Sequence, residues 1–399
     1  MANVSSSNGL EKRPRLAFRR TDGSSFPSWS RTSLSSIIEP YSEKVYGEHK
    51  YEVLTSSREG LQRQVDHFGT KQRHDTDGYN IIPIGYCTYR NRSDDGRFTF
   101  NINTISSNAI VSKFYPVFRF TNANSLFMSE FLNSSSRAKK KLSVLAVGTS
   151  QVVLSFEALK AAKFDLPCKD EQDKIASFFE CLNRRIEYQR TLVDALKKYK
   201  RGVNKQLLSQ IDNSCNCRLG SVCEIVGGGT PDTLHTEYWG SSVEWFTPSE
   251  IGKTKYVSRS VRKLSDIGLN NSSAKLLPIG TVLLTTRATL GEMSIAKREC
   301  CTNQGFQSLI PHQDRALSEY LYYMQIIIKP WCEKYASGNT FREISKSALS
   351  NCIIPLPDRA RQEEIVKLLS SIDTLISAEE GIAMSLSKMR HSLMQQLFI

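Results

Sequence analysis

Pro167-Cys-Lys-Asp-Glu-Gln-Asp-Lys-Ile175 returns 190 residues later as Pro357-Asp-Arg-Ala-Arg-Gln-Glu-Glu-Ile365, and the register then runs on without gaps. It holds through Gln172/Gln362, Ile186/Ile376, Leu196/Leu386, Lys198/Lys388, Gln206/Gln396 and Leu207/Leu397, and upstream through Gly148/Gly338, Ser155/Ser345 and Leu159/Leu349. Half of the chain is therefore a copy of the other half, and the architecture has to be read as a duplication. Within each copy the apolar residues step alternately by four and three, the seam of a coiled-coil helix. The first series is Ile175, Phe179, Leu182, Ile186, Val193, Leu196, Val203 and Leu207; the second is Ile365, Leu369, Ile372, Ile376, Ala383, Leu386, Leu393 and Leu397. Pro167 and Pro357 stand just ahead of the two patterns, where a missing backbone N–H costs nothing, and mark the helix entrances.

Both seams are interrupted at equivalent places, by Gln189 and Glu379 and again by Lys200 and Arg390. Polar seam residues fix register at a cost in stability, so the matched breaks predict that the two helices pack on each other antiparallel. The alternative is that each helix packs only on its own domain. Ahead of each helix lie short β-branched and aromatic runs punctuated by Gly, Asn, Asp and Ser, the pattern of an α+β domain. Expected strands are Tyr51–Leu54, Ile81–Ile84, Tyr86–Arg90, Phe98–Ile102 and Tyr115–Phe120 in the first domain. In the second they are Val222–Val226, Val243–Phe246, Thr281–Thr286, Met293–Ala296 and Phe306–Ile310, followed by a helix near Ser318–Ile328. Pro83-Ile84-Gly85 recurs as Pro278-Ile279-Gly280, which aligns Arg92 with Arg287 at an offset of 195. The expected organisation is a flexible tail over 1–24, a first domain over 25–166, a central helix over 167–212, a second domain over 213–356 and a C-terminal helix over 357–399.

The 399 residues are 40% hydrophobic and 23% charged, which excludes wholesale disorder. Fifty-three basic against 40 acidic residues give a formal charge of +13, and such an excess favours a polyanionic partner. There is no run of 18 apolar residues and no secretory h-region at the start, so a cytoplasmic location without a membrane partner is expected. The ten cysteines show no disulfide framework and no paired zinc spacing. A catalytic or metal site is not legible either. Gly227-Gly228-Gly229-Thr230-Pro231 reads as a turn rather than a dinucleotide loop, Gly252-Lys253-Thr254 lacks the leading glycine of a phosphate loop, and Glu48-His49-Lys50 has no convincing upstream acidic partner arranged to hold Mg²⁺ with it. No Asn/Asp-Pro-Pro-aromatic tetrapeptide of an amino-methyltransferase occurs.

The order of variable domain, long helix, variable domain, long helix resembles the specificity subunit of type I restriction–modification systems over nearly the whole chain. The residues carrying the resemblance are Gly338 to Pro357 with Arg361-Gln362-Glu363-Glu364-Ile365, and the opening segment Leu219 to Ile225 with Gly229-Thr230-Pro231. Weaker versions stand in the first half at Gly148 to Gln151, Leu166-Pro167, Glu171-Gln172 and Trp29 to Ile37. The resemblance implies a non-catalytic subunit with two target recognition domains, each reading half of a split, asymmetric site in double-stranded DNA. It also implies that the helices dock two methyltransferase subunits, with restriction/translocase subunits as a further partner class. S-adenosylmethionine, ATP and Mg²⁺ would then belong to those partners.

About 40 helical residues at ~1.5 Å rise span roughly 60 Å, enough to act as a spacer between domains one duplex turn apart, about 34–36 Å. The spacer seam is carried by Ile175, Phe179, Leu182, Ile186 and Leu196 of one helix and Ile365, Leu369, Ile372, Ile376 and Leu386 of the other. On this reading a four-residue insertion within 176–206, adding about 6 Å, lengthens the unread gap without altering either half-site. For base reading, arginine suits guanine, and asparagine or glutamine suits adenine. The candidates are Arg92 and Arg287, Asn303, Gln304 and Gln307 at a strand end, and Thr149, Ser150 and Gln151 with their repeat positions Asn339 and Thr340. Arg342 and Lys346 are candidates for phosphate. Lys139–Lys141 fits a phosphate-facing or merely solvated run. Two other classes stay open on sequence alone: a stand-alone DNA nuclease or methyltransferase with a degenerate site, and a protein-binding scaffold.

Overall fold

The computed structural model describes residues 16–69, 75–287, 289–338 and 342–398. Contacts divide the chain into two units, residues 1–189 with 382–399 and residues 190–381. The division falls inside both long helices, Lys169–Ser209 and Arg359–Leu397, so each unit holds a length of each. Both helices begin two residues after the marking proline.

In the first unit a four-stranded antiparallel sheet runs in the order Ile38–Tyr41, Val117–Phe120, Cys87–Tyr89, Phe100–Ile102. In the second, Cys223–Gly227, Gln307–Pro311, Val282–Leu284 and Met293–Ala296 repeat that order, with Tyr256–Val257 added in parallel at the edge. The Pro-Ile-Gly segments are the same turn twice: Tyr86 N–H donates to Pro83 O and Thr281 N–H to Pro278 O, both at 3.2 Å. Gly85 and Gly280 stand at φ +82° and +86°, a conformation that β-carbons disfavour.

What differs is the second sheet of each unit. The first carries five strands in the order Lys44–Val45, Tyr79–Ile81, Ala109–Val111, Glu52–Ser57, Gly60–Arg63; the second carries three, Arg262–Leu264, Trp239–Phe246 and Cys300–Thr302. The expected strands lie in these places with shifted ends. Ile81–Ile84 is a strand only over Tyr79–Ile81, because Pro83 opens the turn. The expected helix Ser318–Ile328 is two, Ser318–Tyr323 and Gln325–Tyr335, broken at Met324. The second passes through Pro330, whose ring crowds the carbonyl four residues back and favours a break upstream. In the expected tail over 1–24, residues 1–15 lie outside the described residues, while Arg19 and Ser25 form a β-bridge closed by an Asp22–Ser24 turn.

The long helices are built into the domain cores. Ile175, Phe179, Leu182 and Ile186 share one core with Phe118, Phe127, Leu132 and Leu159, joined by Leu393, Met394 and Leu397 of the C-terminal helix. Ile365, Leu369, Ile372 and Ile376 share another with Val222, Leu284, Leu321 and Leu349, joined by Val193, Leu196 and Val203 of the central helix. Each fully buried aliphatic side chain contributes roughly 1.5–3 kcal/mol. Both expected packings, helix on helix and helix on domain, are therefore present in each unit.

A buried glutamine ties each helix to its domain. Gln172 accepts from Asn124 N–H at 2.9 Å and donates to Pro167 O at 2.9 Å. Gln362 accepts from Leu317 N–H at 3.0 Å and donates to Arg315 O at 2.8 Å and Pro357 O at 3.0 Å. The polar seam residues also find like partners. Lys200 pairs with Asp373, and Lys197 with Glu380 at 2.7 Å, so in the second unit the helices run antiparallel. In the first, Arg390 bonds Asn183 and Glu130. Lys200/Arg390 and Asp373/Asn183 are repeat positions, so one staple is built twice with different chemistry. Asp373 also accepts from Tyr323 Oη at 2.6 Å, and Lys255 donates to Tyr323 Oη and to Ser370 Oγ, both at 2.9 Å. Burial pushes the Lys255 ammonium below its ordinary range, opposed by Asp373.

Candidate nucleic-acid interface

In the first unit the reading candidates meet where the chain leaves strand Cys87–Tyr89. Arg92-Ser93 pairs antiparallel with Val152-Val153, and the exposed Arg92 guanidinium lies 5.2 Å from the Phe114 ring centroid. Gln151 Nε2 donates to Asp94 Oδ1 at 3.0 Å. Asp95 accepts from Ser93 Oγ at 2.9 Å and pairs with Arg58 at 2.7 Å; the Ser93 hydroxyl leads in holding its carboxyl below the usual range. Thr149 and Ser150 are exposed in the same loop. Gly148 makes the loop possible: its φ is +139°, and a β-carbon would lie 2.3 Å from Gln151 O.

In the second unit Arg287 pairs with Glu343 at 2.7 Å, and Glu343 is the repeat position of Val153, the residue paired with Arg92. Arg92 and Arg287 thus occupy corresponding places beside the same closing loop. Thr286 N–H donates to Gly305 O at 2.8 Å, which brings Arg287 next to the 303–305 turn. Asn303 Oδ1 holds that turn by accepting from Gly305 N–H at 2.9 Å. Gln304 is exposed and accepts from Thr230 Oγ1. Gln307 sits lower, alongside Gly227, with Oε1 buried and unpartnered. Gly228 and Gly229 are needed for close approach, since β-carbons there would lie 2.0 Å from Asn303 O and 2.4 Å from the Ser273 carbonyl carbon.

Arg342 donates to the Glu333 carbonyl near the end of helix Gln325–Tyr335, and Lys346 opens helix Lys346–Ser350, exposed and without an ion pair among the described residues. Asn339 and Thr340 lie outside the described residues. The structure therefore gathers Arg92 with Gln151, and Arg287 with Asn303 and Gln304, while Gln307 and Asn303 spend their polar groups inward. Phe114, which carries the Arg92 guanidinium, escaped the sequence reading because nothing in Lys113-Phe114-Tyr115 marks one aromatic ring as a support. Among the described residues no group of three or more His, Cys, Asp or Glu is arranged to hold a metal ion, and no helix is long and apolar enough to cross a membrane.

Two tandem recognition-type domains, each closed on a long helix, define a class, and sequence comparison places the chain in it. The family profile described as type I restriction modification DNA specificity domain matches residues 39–198 and 212–388, and the chain belongs to that family. It is 35% identical over 186 residues to the type I restriction enzyme MjaIX specificity subunit of Methanocaldococcus jannaschii, covering 46% of this chain and 43% of that one. It is 24% identical over 257 residues to the putative MjaX specificity subunit of the same organism, covering 60% and 59%. The chain thus spans about half the length of the curated relatives it matches. Its fold is similar to a chain from a study of complex assembly and conformational transition in a type I restriction–modification system, with TM-score 0.59, 19% identity and coverage of 93% and 98%. It is also similar to the S subunit of the type I restriction–modification system from M. genitalium, with TM-score 0.54, 15% identity and coverage of 97% and 99%.

Proposed function

We propose that this chain is the DNA sequence-specificity subunit of a cytoplasmic type I restriction–modification complex, non-catalytic itself and reading a bipartite, asymmetric duplex site. The observation that carries the reading is the duplicated device: two sheets of one strand order, each bearing an arginine beside the same closing loop and each tied to a long helix by a buried glutamine. Residues 25–166 and 213–356 act as the target recognition domains. The differing second sheets give the halves different surfaces, as unequal half-sites require. Arg92, Thr149, Ser150 and Gln151 in one domain, and Arg287 and Gln304 with the repeat positions Asn339 and Thr340 in the other, read bases; Arg342 and Lys346 serve phosphate. The helices Lys169–Ser209 and Arg359–Leu397 set the length of the unread gap.

The same helices offer a surface for two methyltransferase subunits and, through the assembly, restriction subunits. Leu368, Leu375, Ile382 and Met389 recur every seven residues along the C-terminal helix and are 44%, 46%, 43% and 47% exposed. A second apolar row beside the seam is the pattern of a helix that packs on more than one neighbour. S-adenosylmethionine, ATP and Mg²⁺ are bound by those partners.

The test is to reconstitute the chain with type I methyltransferase subunits and map modified adenines by single-molecule sequencing. One bipartite sequence, methylated only when both components are present, is expected. Methylation by the chain alone, or modification without sequence preference, would refute the reading.

A further inference from the structure

The unit built from the first half carries a basic helix that its counterpart lacks. Helix Ser136–Leu145 reads Ser-Arg-Ala-Lys-Lys-Lys-Leu-Ser-Val-Leu, with four cations and no acid. Ala138 and Leu142 face the core, as Ile328 and Cys332 do 190 residues on, so the two helices are repeats of one element. In the counterpart, Gln325–Tyr335, Lys329 is neutralised by Glu292 at 2.5 Å and Lys334 follows Glu333. In the basic helix, Lys141 is half-buried and donates to Lys163 O at 2.8 Å. Arg137, Lys139 and Lys140 are exposed and make no ion pair among the described residues, as is also true of Lys163 on the neighbouring strand. The helix runs directly into the Ala146–Gln151 loop that holds Thr149, Ser150 and Gln151.

We propose that helix Ser136–Leu145 is a phosphate-tracking element, with Arg137, Lys139 and Lys140 contacting the duplex backbone adjoining the first half-site, and that the second domain has no equivalent. The inference rests on the specificity-subunit reading and extends it: the two half-sites are gripped with unequal electrostatic strength. Unpaired, exposed cations on one helix gain nothing for the fold, and intramolecular pairing would have silenced them as it silences Lys329, the repeat position of Lys139. The helix is about 15 Å long, the length of about four base pairs at 3.4 Å each. Such contacts position the protein without reading sequence.

The experiment uses the reconstituted complex carrying Arg137→Gln, Lys139→Gln and Lys140→Gln together, with Lys334→Gln on the counterpart helix as the control. Each phosphate contact contributes about 0.9 to the slope of log affinity against log salt, so the triple variant should lose about 2.7. Between about 50 and 200 mM salt the parent's affinity should then fall about 40-fold more than the variant's. Cognate and site-free duplexes should be weakened alike, Lys334→Gln should leave the slope in place, and the methylated sequence should stay the same. Phosphate-ethylation interference should disappear beside one half-site only.

An unchanged slope in the triple variant, an altered methylated sequence, or interference lost beside both half-sites would overturn the proposal. A parent complex that methylates no bipartite sequence would be a failure of the underlying reading. A parent that reads its sequence while the triple variant keeps its slope sinks the helix alone.

Discussion

Replacing Gln362 with alanine tests the claim that one buried amide fixes each long helix to its domain. The side chain makes three bonds, all to backbone groups: Leu317 N–H, Arg315 O and Pro357 O. A typical intramolecular hydrogen bond contributes about 1 kcal/mol net, so Gln362→Ala should cost about 3 kcal/mol. Gln172 makes two such bonds, to Asn124 N–H and Pro167 O, and Gln172→Ala should cost about 2 kcal/mol. For a unit of roughly 200 residues each kcal/mol moves the thermal midpoint by about 2–4 °C, giving drops of about 6–12 °C and 4–8 °C. Calorimetry measures the midpoints, and amide hydrogen exchange places the damage. Protection should be lost at Leu317 but not Asn124 in the first variant, and the reverse in the second. Costs under about 1 kcal/mol for both, or exchange changes that fail to follow the substituted repeat, would refute the reasoning.

Asp373→Ala removes the acceptor shared by Lys200 and Tyr323, and because that pair is about a quarter exposed the loss should be about 2 kcal/mol rather than the 3–5 of a fully buried pair. Asp373→Asn, which copies the repeat residue Asn183, should lose less, as denaturant unfolding can show. Glu171 is buried with Oε2 unpartnered, and burial pushes its pKa above 4.5, so in the folded state the charged form is disfavoured. That cost is absent below pH 4.5 and grows as the pH rises through the raised folded value. Glu171→Gln should therefore raise the thermal midpoint at pH 7, with the gain closing as the pH falls to the ordinary carboxylate value; a gain independent of pH would contradict this. Gly148→Ala places a β-carbon 2.3 Å from Gln151 O and should cost about 1–3 kcal/mol of local strain. The exchange protection of Val153 N–H, bonded to Val147 O at 2.9 Å, should fall with it.

The gapless offset from Pro167 and Pro357 already located the starts of both helices to within two residues, since a seven-residue apolar pattern over some forty positions leaves little room for another conformation. The matched polar breaks at Lys200 and Arg390 likewise pointed to a helix pair. The alignment of Arg92 with Arg287 rested on one Pro-Ile-Gly turn, which Gly85 and Gly280 reproduce with matching positive φ. Strands with β-branched or aromatic runs were visible. Those at Ser30–Ser33 and Asn216–Arg218 were not, because Ser-Arg-Thr-Ser and Asn-Cys-Arg carry no apolar alternation. They are strands only because Lys163–Leu166 and Ile353–Pro355, more than 120 residues away in sequence, supply the backbone partners.

Sequence by itself thus determined the duplication and the helices, which follow from local periodicity and its recurrence, while the class came from the resemblance carried by the segments that open and close the second domain. Only the tertiary structure decided which polar residues look outward. Asn303 and Gln307 share the residue types of a base reader with Gln304, yet Asn303 bonds its own turn and Gln307 is largely enclosed. Likewise Lys139 and Lys140 differ from Lys329 not in chemistry but in having no carboxylate partner among the described residues. Whether a charge is silenced depends on what long-range packing brings beside it, and a residue's neighbours in sequence do not encode that.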